Sequence, residues 1–255
     1  MSALFTGVGV ALVTLFDDHA ELDASATADL AASLTDRGVR AVLVAGTTGE
    51  AAALTPDERA ELIAAVRAAL PAEVPVIAGT GAPTGVQAAA LTERAFDAGA
   101  DAVLALSPPG VPDPRGYYDR VAKATAGRPL LAYHFPGASL PGIPVDLLPD
   151  LPVSGLKDSS GDARRLIEAL DCFDGDVYTG DAALLTMCGA LGAAGALVAL
   201  ANVEPERCAA AFAGEGRVQV ELAAANRGAN GDFPAGIKRM VAEQFGVSSL
   251  TRIGG

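Results

Sequence analysis

The sequence predicts an α/β fold, a (β/α)8 TIM barrel with a short C-terminal helical extension, and two observations lead to it. Short β-type runs alternate with Ala-rich helical stretches, and eight strand candidates occur within 255 residues. These strands lack a clean apolar/polar alternation, which is typical of parallel strands covered by helices. Eight strand–helix repeats in one chain of this length favour a closed barrel.

The strand candidates are separated by glycines, prolines and polar turns. In chain order they are residues 8–16, 39–45, 74–79, 102–106, 130–135, 153–157, 177–179 and 195–200. Helices are predicted at about residues 24–37, 55–70, 84–98, 115–126 and 163–170, with a short one near 145–148 and another from Gly180-Asp181 to about 191. The start Thr55-Pro56-Asp57-Glu58 is typical of a helix, with Thr as N-cap, Pro in the first turn and acidic residues next.

No linker or composition break precedes about residue 202. We therefore expect residues 1–202 to form the barrel core. Residues 203–255 should pack on it as two or three helices that include the last barrel helix and break at glycines: Gly214, Gly216, Gly228 and Gly231. A doubly wound open sheet is the alternative fold. It usually carries a Gly-rich first turn for a nucleotide, whereas the loop at residues 17–20 contains no glycine.

Charge and composition exclude several classes of function. The net charge of -13 argues against nucleic-acid binding, which needs a basic surface. No apolar run reaches the roughly 20 residues of a membrane span, and residues 1–7 do not resemble a secretory signal. We therefore expect a cytoplasmic protein with neither a membrane nor a nucleic-acid partner.

Residues that could hold a metal are scarce. His19 and His134 are the only histidines, and the three cysteines are widely spaced without a CxxC motif. A metal site or a disulfide framework is therefore not expected, and the cysteines should be small buried residues. No cofactor is predicted.

The chain's chemistry is predicted to centre on Lys157. The apolar run at residues 153–156 ends in this lysine and is followed by the polar turn 158–162. At the carboxyl end of a buried barrel strand, the amine would face the active site, and burial would favour its neutral form. A neutral amine can attack a ketone and form a Schiff base. The alternative is a lysine that ends the strand and points to water.

Other strand ends contribute polar residues at the same edge of the barrel. Thr47 and Thr48 lie among glycines, so their N–H groups could bind a carboxylate, although the segment could also be an ordinary turn. Tyr133 could transfer protons or be a core tyrosine with a satisfied hydroxyl. His134 should point the other way and have a structural role. Two acidic residues are expected to cap the following helix: Asp158 and Asp162.

Together, these residues could supply the groups needed for a reaction of a 2-oxo acid. The lysine would form an imine, which is an electron sink, so that a C–C bond could break or form through an enamine. The tyrosine would pass a proton to and from the substrate hydroxyl, and a threonine would relay it. Backbone N–H groups would hold the carboxylate.

The motifs resemble those of the dihydrodipicolinate synthase / N-acetylneuraminate lyase family of class I, Schiff-base pyruvate aldolases. They span most of the chain in order. The segments are residues 9–16, 46–50, 133–136, 155–162 and 201–203. The pairing of Thr-Thr-Gly-Glu with Lys-Asp-Ser-Ser is specific.

The resemblance implies a role for each matching residue. Lys157 would be the Schiff-base lysine and Tyr133 the proton-transfer tyrosine. Thr47 and Thr48 would contact the pyruvate carboxylate, with Thr47 also acting as a relay. Leu197 would contribute its backbone carbonyl. Family members are usually tetramers built from tight dimers, which implies a homodimer or homotetramer here.

Some positions depart from the family's lysine-pathway synthases. Those enzymes carry an arginine shortly after the motif at residues 133–136, whereas residues 136–140 contain none. Their aromatic pair after the strand-four proline is replaced by Pro109-Gly110-Val111, and the usual Asn after the tyrosine is His134. The C-terminal region is also shorter, which weakens the case for a tetramer.

These departures suggest the same imine chemistry with a different second substrate. An aldehyde without a carboxylate fits better, as in 2-keto-3-deoxy sugar acid aldolases. Lysine-pathway synthase activity is the second choice. A dehydratase or deaminase using the same imine and a non-catalytic binding protein are the remaining alternatives.

Overall fold

The computed structural model describes residues 3–253 and confirms the predicted (β/α)8 barrel. Eight parallel strands form one closed sheet in which each strand pairs with the next and β8 pairs with β1. The strands are β1 Gly7–Ala11, β2 Val42–Val44, β3 Val76–Gly79, β4 Ala102–Leu106, β5 Leu130–His134, β6 Gly155–Asp158, β7 Asp176–Thr179 and β8 Gly195–Val198.

Helices cover the outside of this barrel and extend beyond its last strand. They are α1 Ala24–Asp36, α2 Pro56–Ala69, α3 Gly85–Asp97, α4 Arg115–Ala124, α5 Ala163–Cys172, α6 Leu185–Ala190, α7 Pro205–Phe212, α8 Gly216–Glu221, α9 Ala223–Asn230 and α10 Ala235–Phe245. Short 3-10 helices occur at Ala51–Ala53, Val145–Asp150, Ala182–Leu184 and Ala199–Asn202.

The first and last strands are shorter than predicted. Residues 12–16 leave the strand pairing, and side chains satisfy part of their backbone: Val13 N–H donates to Asn202 Oδ1, and Leu15 N–H donates to Thr27 Oγ1. After β8, the chain turns into the 3-10 helix Ala199–Asn202. Apolar residues continue in both places, so composition alone did not mark the ends.

Between residues 203 and 253, the structure contains four α-helices rather than the predicted two or three. The additional break lies between α8 and α9 at Leu222, where the sequence has neither glycine nor proline. Leu222 is buried. The break between α8 and α9 therefore coincides with the burial of the Leu222 side chain, and no helix-breaking residue marks it in the sequence. The predicted division at residue 202 remains a proposal about domain organisation.

Helix starts follow the local sequence closely. At α2, the Thr55 side chain accepts a hydrogen bond from Glu58 N–H while the Glu58 carboxylate accepts one from Thr55 N–H, which satisfies both exposed donors. Asp162 caps α5 by accepting hydrogen bonds from two backbone N–H groups. The prediction that Asp162 caps the helix after β6 is therefore correct. This cap positions the loop that connects β6 to α5.

The core consists of two main apolar layers. One fills the barrel interior, and the other lies between the sheet and the surrounding helices. Tyr133 and Lys157 are direct register partners on β5 and β6, and Lys157 is in turn the partner of Tyr178 on β7. Since alternate residues of a strand face the same side, this register directs Tyr133 and Lys157 into the interior together.

Two further sequence expectations concern membranes and cysteines. No helix within residues 3–253 has both the length and the apolar character to cross a membrane. All three cysteines are free, and Cys188 and Cys208 are buried as predicted. Cys172 is exposed, because it lies at the end of α5, so the prediction that it would be buried is wrong.

Candidate active site

Lys157 lies in the barrel interior, at the carboxyl end of β6. Its side chain is only 4% exposed, and its Nζ lies 4.5 Å from the centre of the Tyr133 ring. Burial lowers the pKa of Lys157 from its usual value to about 7. Near neutral pH, a large share of this amine is therefore unprotonated and able to act as a nucleophile.

The other two lysines of the chain have different environments. Lys123 is exposed. Lys238 is fully buried, but its Nζ donates a hydrogen bond of 2.7 Å to Glu50 Oε1 and another to the Leu250 carbonyl. Burial lowers the pKa of Lys238, whereas Glu50 acts in the opposite direction. Within residues 3–253, Lys157 is thus the one lysine that is buried without a carboxylate partner.

Tyr133 presents a phenol beside this amine. Burial raises the pKa of Tyr133, while the neighbouring hydroxyls of Ser159 and Thr47 act in the opposite direction. The phenol therefore remains protonated at neutral pH and can donate a proton. Its ring stacks on Phe135, with ring centres 5.9 Å apart, which helps to fix its orientation.

Thr47 and Thr48 belong to the turn at residues 45–50 that follows β2. Within residues 3–253, neither of their backbone N–H groups donates a hydrogen bond. Ala45 and Glu50, at the two ends of the turn, have positive φ angles of 49° and 55°. Such backbone persists only where its surroundings enforce it. The turn therefore holds two free donors in a fixed position at the barrel mouth.

Glu50 ties this turn to the C-terminal part of the chain. Its carboxylate is fully buried and accepts a hydrogen bond from Lys238 Nζ on α10. Its other oxygen accepts hydrogen bonds from the backbone N–H groups of Arg252 and Ile253, both at 2.8 Å. The sequence analysis assigned no role to Glu50, so this connection was not anticipated.

Gly180, directly after β7, makes room for the lysine. A Cβ at this position would overlap the Ser159 hydroxyl and lie 2.8 Å from Lys157 Cε. Only glycine fits without displacing one of these groups. The position therefore also shows that the Ser159 and Lys157 side chains are close neighbours.

A cavity of about 290 Å³ opens at this end of the barrel. It brings together every predicted site residue: Lys157, Tyr133, Thr47, Thr48 and Leu197. The sequence analysis assigned no site role to several other lining residues, among them Ser159, Asp181, Asn226, Asn230 and Phe233. Ser159 and Asp181 lie next to strand ends, which could have identified them. No pattern pointed to the two asparagines or to Phe233, which follow β8 by more than 25 residues.

His134 and Asp158 lie behind the cavity rather than in it. His134 Nδ1 accepts a hydrogen bond of 2.9 Å from Ile143 N–H, in agreement with the predicted structural role. Burial, assisted by Arg165 and opposed by Asp158, lowers the pKa of His134 to about 4. The imidazole is therefore neutral at physiological pH and acts as an acceptor.

The prediction that Asp158 caps the following helix is wrong. Its carboxylate accepts hydrogen bonds from the Ser160 backbone and hydroxyl and from Arg165 Nε, the last at 2.7 Å. Because neighbouring strand residues face opposite sides, Asp158 points away from the interior that Lys157 faces. It therefore links β6 to the side of α5 instead of capping the first turn.

A sequence model described as the Dihydrodipicolinate synthetase family matches residues 4–227. The chain belongs to this family. Members of the family are Schiff-base lyases, so the protein is an enzyme of that type. The resemblance carried by the sequence motifs is thereby confirmed.

Two curated relatives share more than a third of their aligned residues with this chain. The chain is 38% identical over 217 residues to 4-hydroxy-tetrahydrodipicolinate synthase from Natronomonas pharaonis, with 81% of this chain and 73% of that protein covered. It is 37% identical over 226 residues to the enzyme of the same name from Pseudomonas aeruginosa, with coverage of 83% and 77%.

Solved structures of family members superpose over almost the whole chain. A dihydrodipicolinate synthase from Bacillus anthracis is 28% identical with a TM-score of 0.89, covering 98% of this chain and 92% of that one. A chloride-inhibited dihydrodipicolinate synthase from Acinetobacter baumannii, solved in complex with pyruvate, is 27% identical with a TM-score of 0.88 and the same coverage.

Proposed function

We propose that the protein is a class I aldolase in which Lys157 forms a Schiff base with pyruvate or another 2-oxo acid. The observation that carries this proposal is the isolation of the Lys157 amine: it is buried, has no carboxylate partner among residues 3–253, and has a pKa of about 7. The complex of the Acinetobacter baumannii relative with pyruvate supports pyruvate as the 2-oxo acid.

The surrounding residues have the chemistry that this reaction needs. Tyr133, beside the amine, would be the proton donor and acceptor, and Thr47 would connect it to solvent as a relay. The free N–H groups of Thr47 and Thr48 would bind the carboxylate of the 2-oxo acid. Leu197 on β8 also lines the cavity, and its carbonyl would contact the bound substrate.

The reaction would proceed in balanced steps. The neutral amine adds to the C2 carbonyl, and the hydroxyl that forms takes a proton from Tyr133 and leaves as water, giving a protonated imine. The Tyr133 phenolate left by this step takes a proton from C3, giving an enamine whose C3 attacks the carbonyl carbon of an aldehyde. A proton delivered through Tyr133 completes the new hydroxyl, and hydrolysis of the imine regenerates Lys157.

We propose a 2-keto-3-deoxy sugar acid as the aldol product or substrate. Among the residues that line the cavity, Lys157 is the only basic one and Asp181 the only acidic one. Lys157 would be occupied by the 2-oxo acid, so no cation remains for a carboxylate on the second substrate. An aldehyde with neutral hydroxyl groups is the better match.

The second candidate is 4-hydroxy-tetrahydrodipicolinate synthase. The names of the two curated relatives favour it. A dehydratase or deaminase would use the same imine, and product analysis would separate these reactions. A high rate with pyruvate and aspartate semialdehyde, together with no reaction on 2-keto-3-deoxy sugar acids, would decide for the synthase.

Borohydride trapping with pyruvate tests the Schiff base directly. Intact mass should show one reduced pyruvyl adduct, and peptide mapping should place it on Lys157. The chain provides its own controls, because exposed Lys123 and paired Lys238 should remain unmodified. Adduct on Lys123 or Lys238, or no adduct on the folded protein with excess pyruvate or with a panel of longer 2-oxo acids, would contradict the proposal.

Assembly and location remain predictions. The homodimer or homotetramer implied by the sequence resemblance is tested by sedimentation of the purified protein. A structural relative with 22% identity is described as a monomeric dihydrodipicolinate synthase variant. Cell fractionation tests the predicted cytoplasmic location.

A further inference from the structure

Helix α9 contributes two amide side chains to the active-site cavity. Asn226 and Asn230, one helical turn apart, both line the cavity that contains Lys157. Asn226 is half-buried and Asn230 is exposed, which places the pair towards the solvent side. Lys157 itself is buried at the carboxyl end of β6.

The two amides are fixed relative to each other. Asn230 Nδ2 donates hydrogen bonds of 2.9 Å to Asn226 Oδ1 and to the Asn226 backbone carbonyl. Within residues 3–253, Asn226 Nδ2 then has no acceptor, and Asn230 Oδ1 has no donor. The hydrogen-bonded pair thus keeps one free donor and one free acceptor.

This pairing matches a hydroxyl group. A hydroxyl both donates and accepts hydrogen bonds, whereas an ionised carboxylate only accepts them. A carboxylate here would satisfy Asn226 Nδ2 but would face Asn230 Oδ1 without a proton to donate. The acidic Asp181, which lines the same cavity, would repel it further.

We propose that Asn226 and Asn230 form a subsite that binds hydroxyl groups of the second substrate and thereby selects hydroxylated aldehydes. The inference rests on the proposed aldolase function, since it places the aldehyde tail on the side of the cavity away from the imine. It adds a source of specificity on α9, apart from the strand ends that carry the imine chemistry.

Two aldehydes of equal carbon number test the subsite: glyceraldehyde, which carries hydroxyls, and propionaldehyde, which carries none. The measured quantity is kcat/KM for condensation with pyruvate. Loss of one neutral hydrogen bond should lower kcat/KM for glyceraldehyde about three- to tenfold in Asn226→Ala and in Asn230→Ala. Propionaldehyde should change less than about twofold, because it makes no such bond.

A matched control uses Arg227→Ala. Arg227 is exposed on the same helix and is not part of the cavity lining, so both aldehydes should react as in the wild type. Borohydride trapping of pyruvate should be unchanged in all three variants, because the subsite does not touch Lys157. That readout also shows that the variants are folded.

The outcomes separate the two proposals. If the wild type forms no adduct on Lys157 with pyruvate or with longer 2-oxo acids, the proposed function fails, and this inference fails with it. If the adduct forms but both aldehydes lose activity equally in the Asn variants, or neither changes, only the subsite is refuted. Faster reaction of the wild type with succinic semialdehyde than with glyceraldehyde would also refute it.

Discussion

Replacing Ser159 with aspartate tests whether burial without a partner is what keeps the Lys157 amine neutral. The Ser159 hydroxyl and Lys157 Cε both border the space beside Gly180, so the two side chains are close. A carboxylate about 4 Å from an ammonium gains about 1 kcal/mol in water and about 4 kcal/mol at the effective dielectric constant near a protein surface. Since one pKa unit is about 1.4 kcal/mol, Ser159→Asp should raise the pKa of Lys157 by about 1 to 3 units.

The assay is the initial rate of imine formation as a function of pH. Protein and pyruvate are mixed briefly at each pH and quenched into borohydride at one fixed pH, and the adduct is quantified by mass. For the wild type, the rate should rise with pH and reach half its plateau near 7, where the pKa of Lys157 lies. In Ser159→Asp, the midpoint should move upward, and the rate at pH 7 should fall about fivefold to five-hundredfold.

Ser159→Asn is the matched control, since asparagine has nearly the same size as aspartate but carries no charge. It should keep the wild-type midpoint, even if loss of the hydroxyl near Tyr133 lowers the plateau. The reasoning is refuted if Ser159→Asp and Ser159→Asn share one midpoint. It is also refuted if the wild-type rate continues to rise towards pH 10, as for an exposed lysine.

Three further substitutions test other parts of the site. Tyr133→Phe should slow imine formation about a hundredfold or more, because the proton donor is lost. In trapping time courses, the variant should still reach the same final amount of adduct as the wild type. An unchanged rate would exclude Tyr133 from the mechanism. Glu50→Gln leaves Lys238 as a buried charge without a carboxylate and should cost about 3–5 kcal/mol of unfolding free energy. Thermal unfolding checks this against the exposed Glu61→Gln, and equal melting temperatures would contradict it. Gly180→Ala should keep the fold but reduce trapping about tenfold, because its methyl group overlaps Ser159 and crowds Lys157, and overpacking of this kind costs about 1–3 kcal/mol. Gly216→Ala, with open space around it, should trap normally.

The sequence predicted the fold well because barrel strands and helix starts are encoded locally. Asp162 and Thr55 are caps whose chemistry acts within three or four residues. The ends of β1 and β8 were misplaced because long-range partners set them. Asn202, for example, binds Val13 N–H from nearly 190 positions away, and no local pattern reports such a bond.

The candidate site shows the same division. Lys157, Tyr133 and the threonines follow strand ends, and the rule that barrel sites lie at the carboxyl ends of strands brings them together. Asn226 and Asn230 lie on a helix beyond the last strand, where composition indicates only a surface helix. Their position depends on how α9 packs across the barrel mouth, which no local pattern specifies.

The connection through Glu50 has a consequence for the order in which the enzyme matures. The turn that would hold the substrate carboxylate is formed early in the chain, yet its anchoring carboxylate accepts hydrogen bonds from Lys238, Arg252 and Ile253. During synthesis, about 190 further residues must leave the ribosome before the first of these partners is available. A nascent barrel would therefore carry Lys157 before the turn proposed to bind the carboxylate is anchored, and this turn would gain its last contacts only when the C-terminal helices have docked.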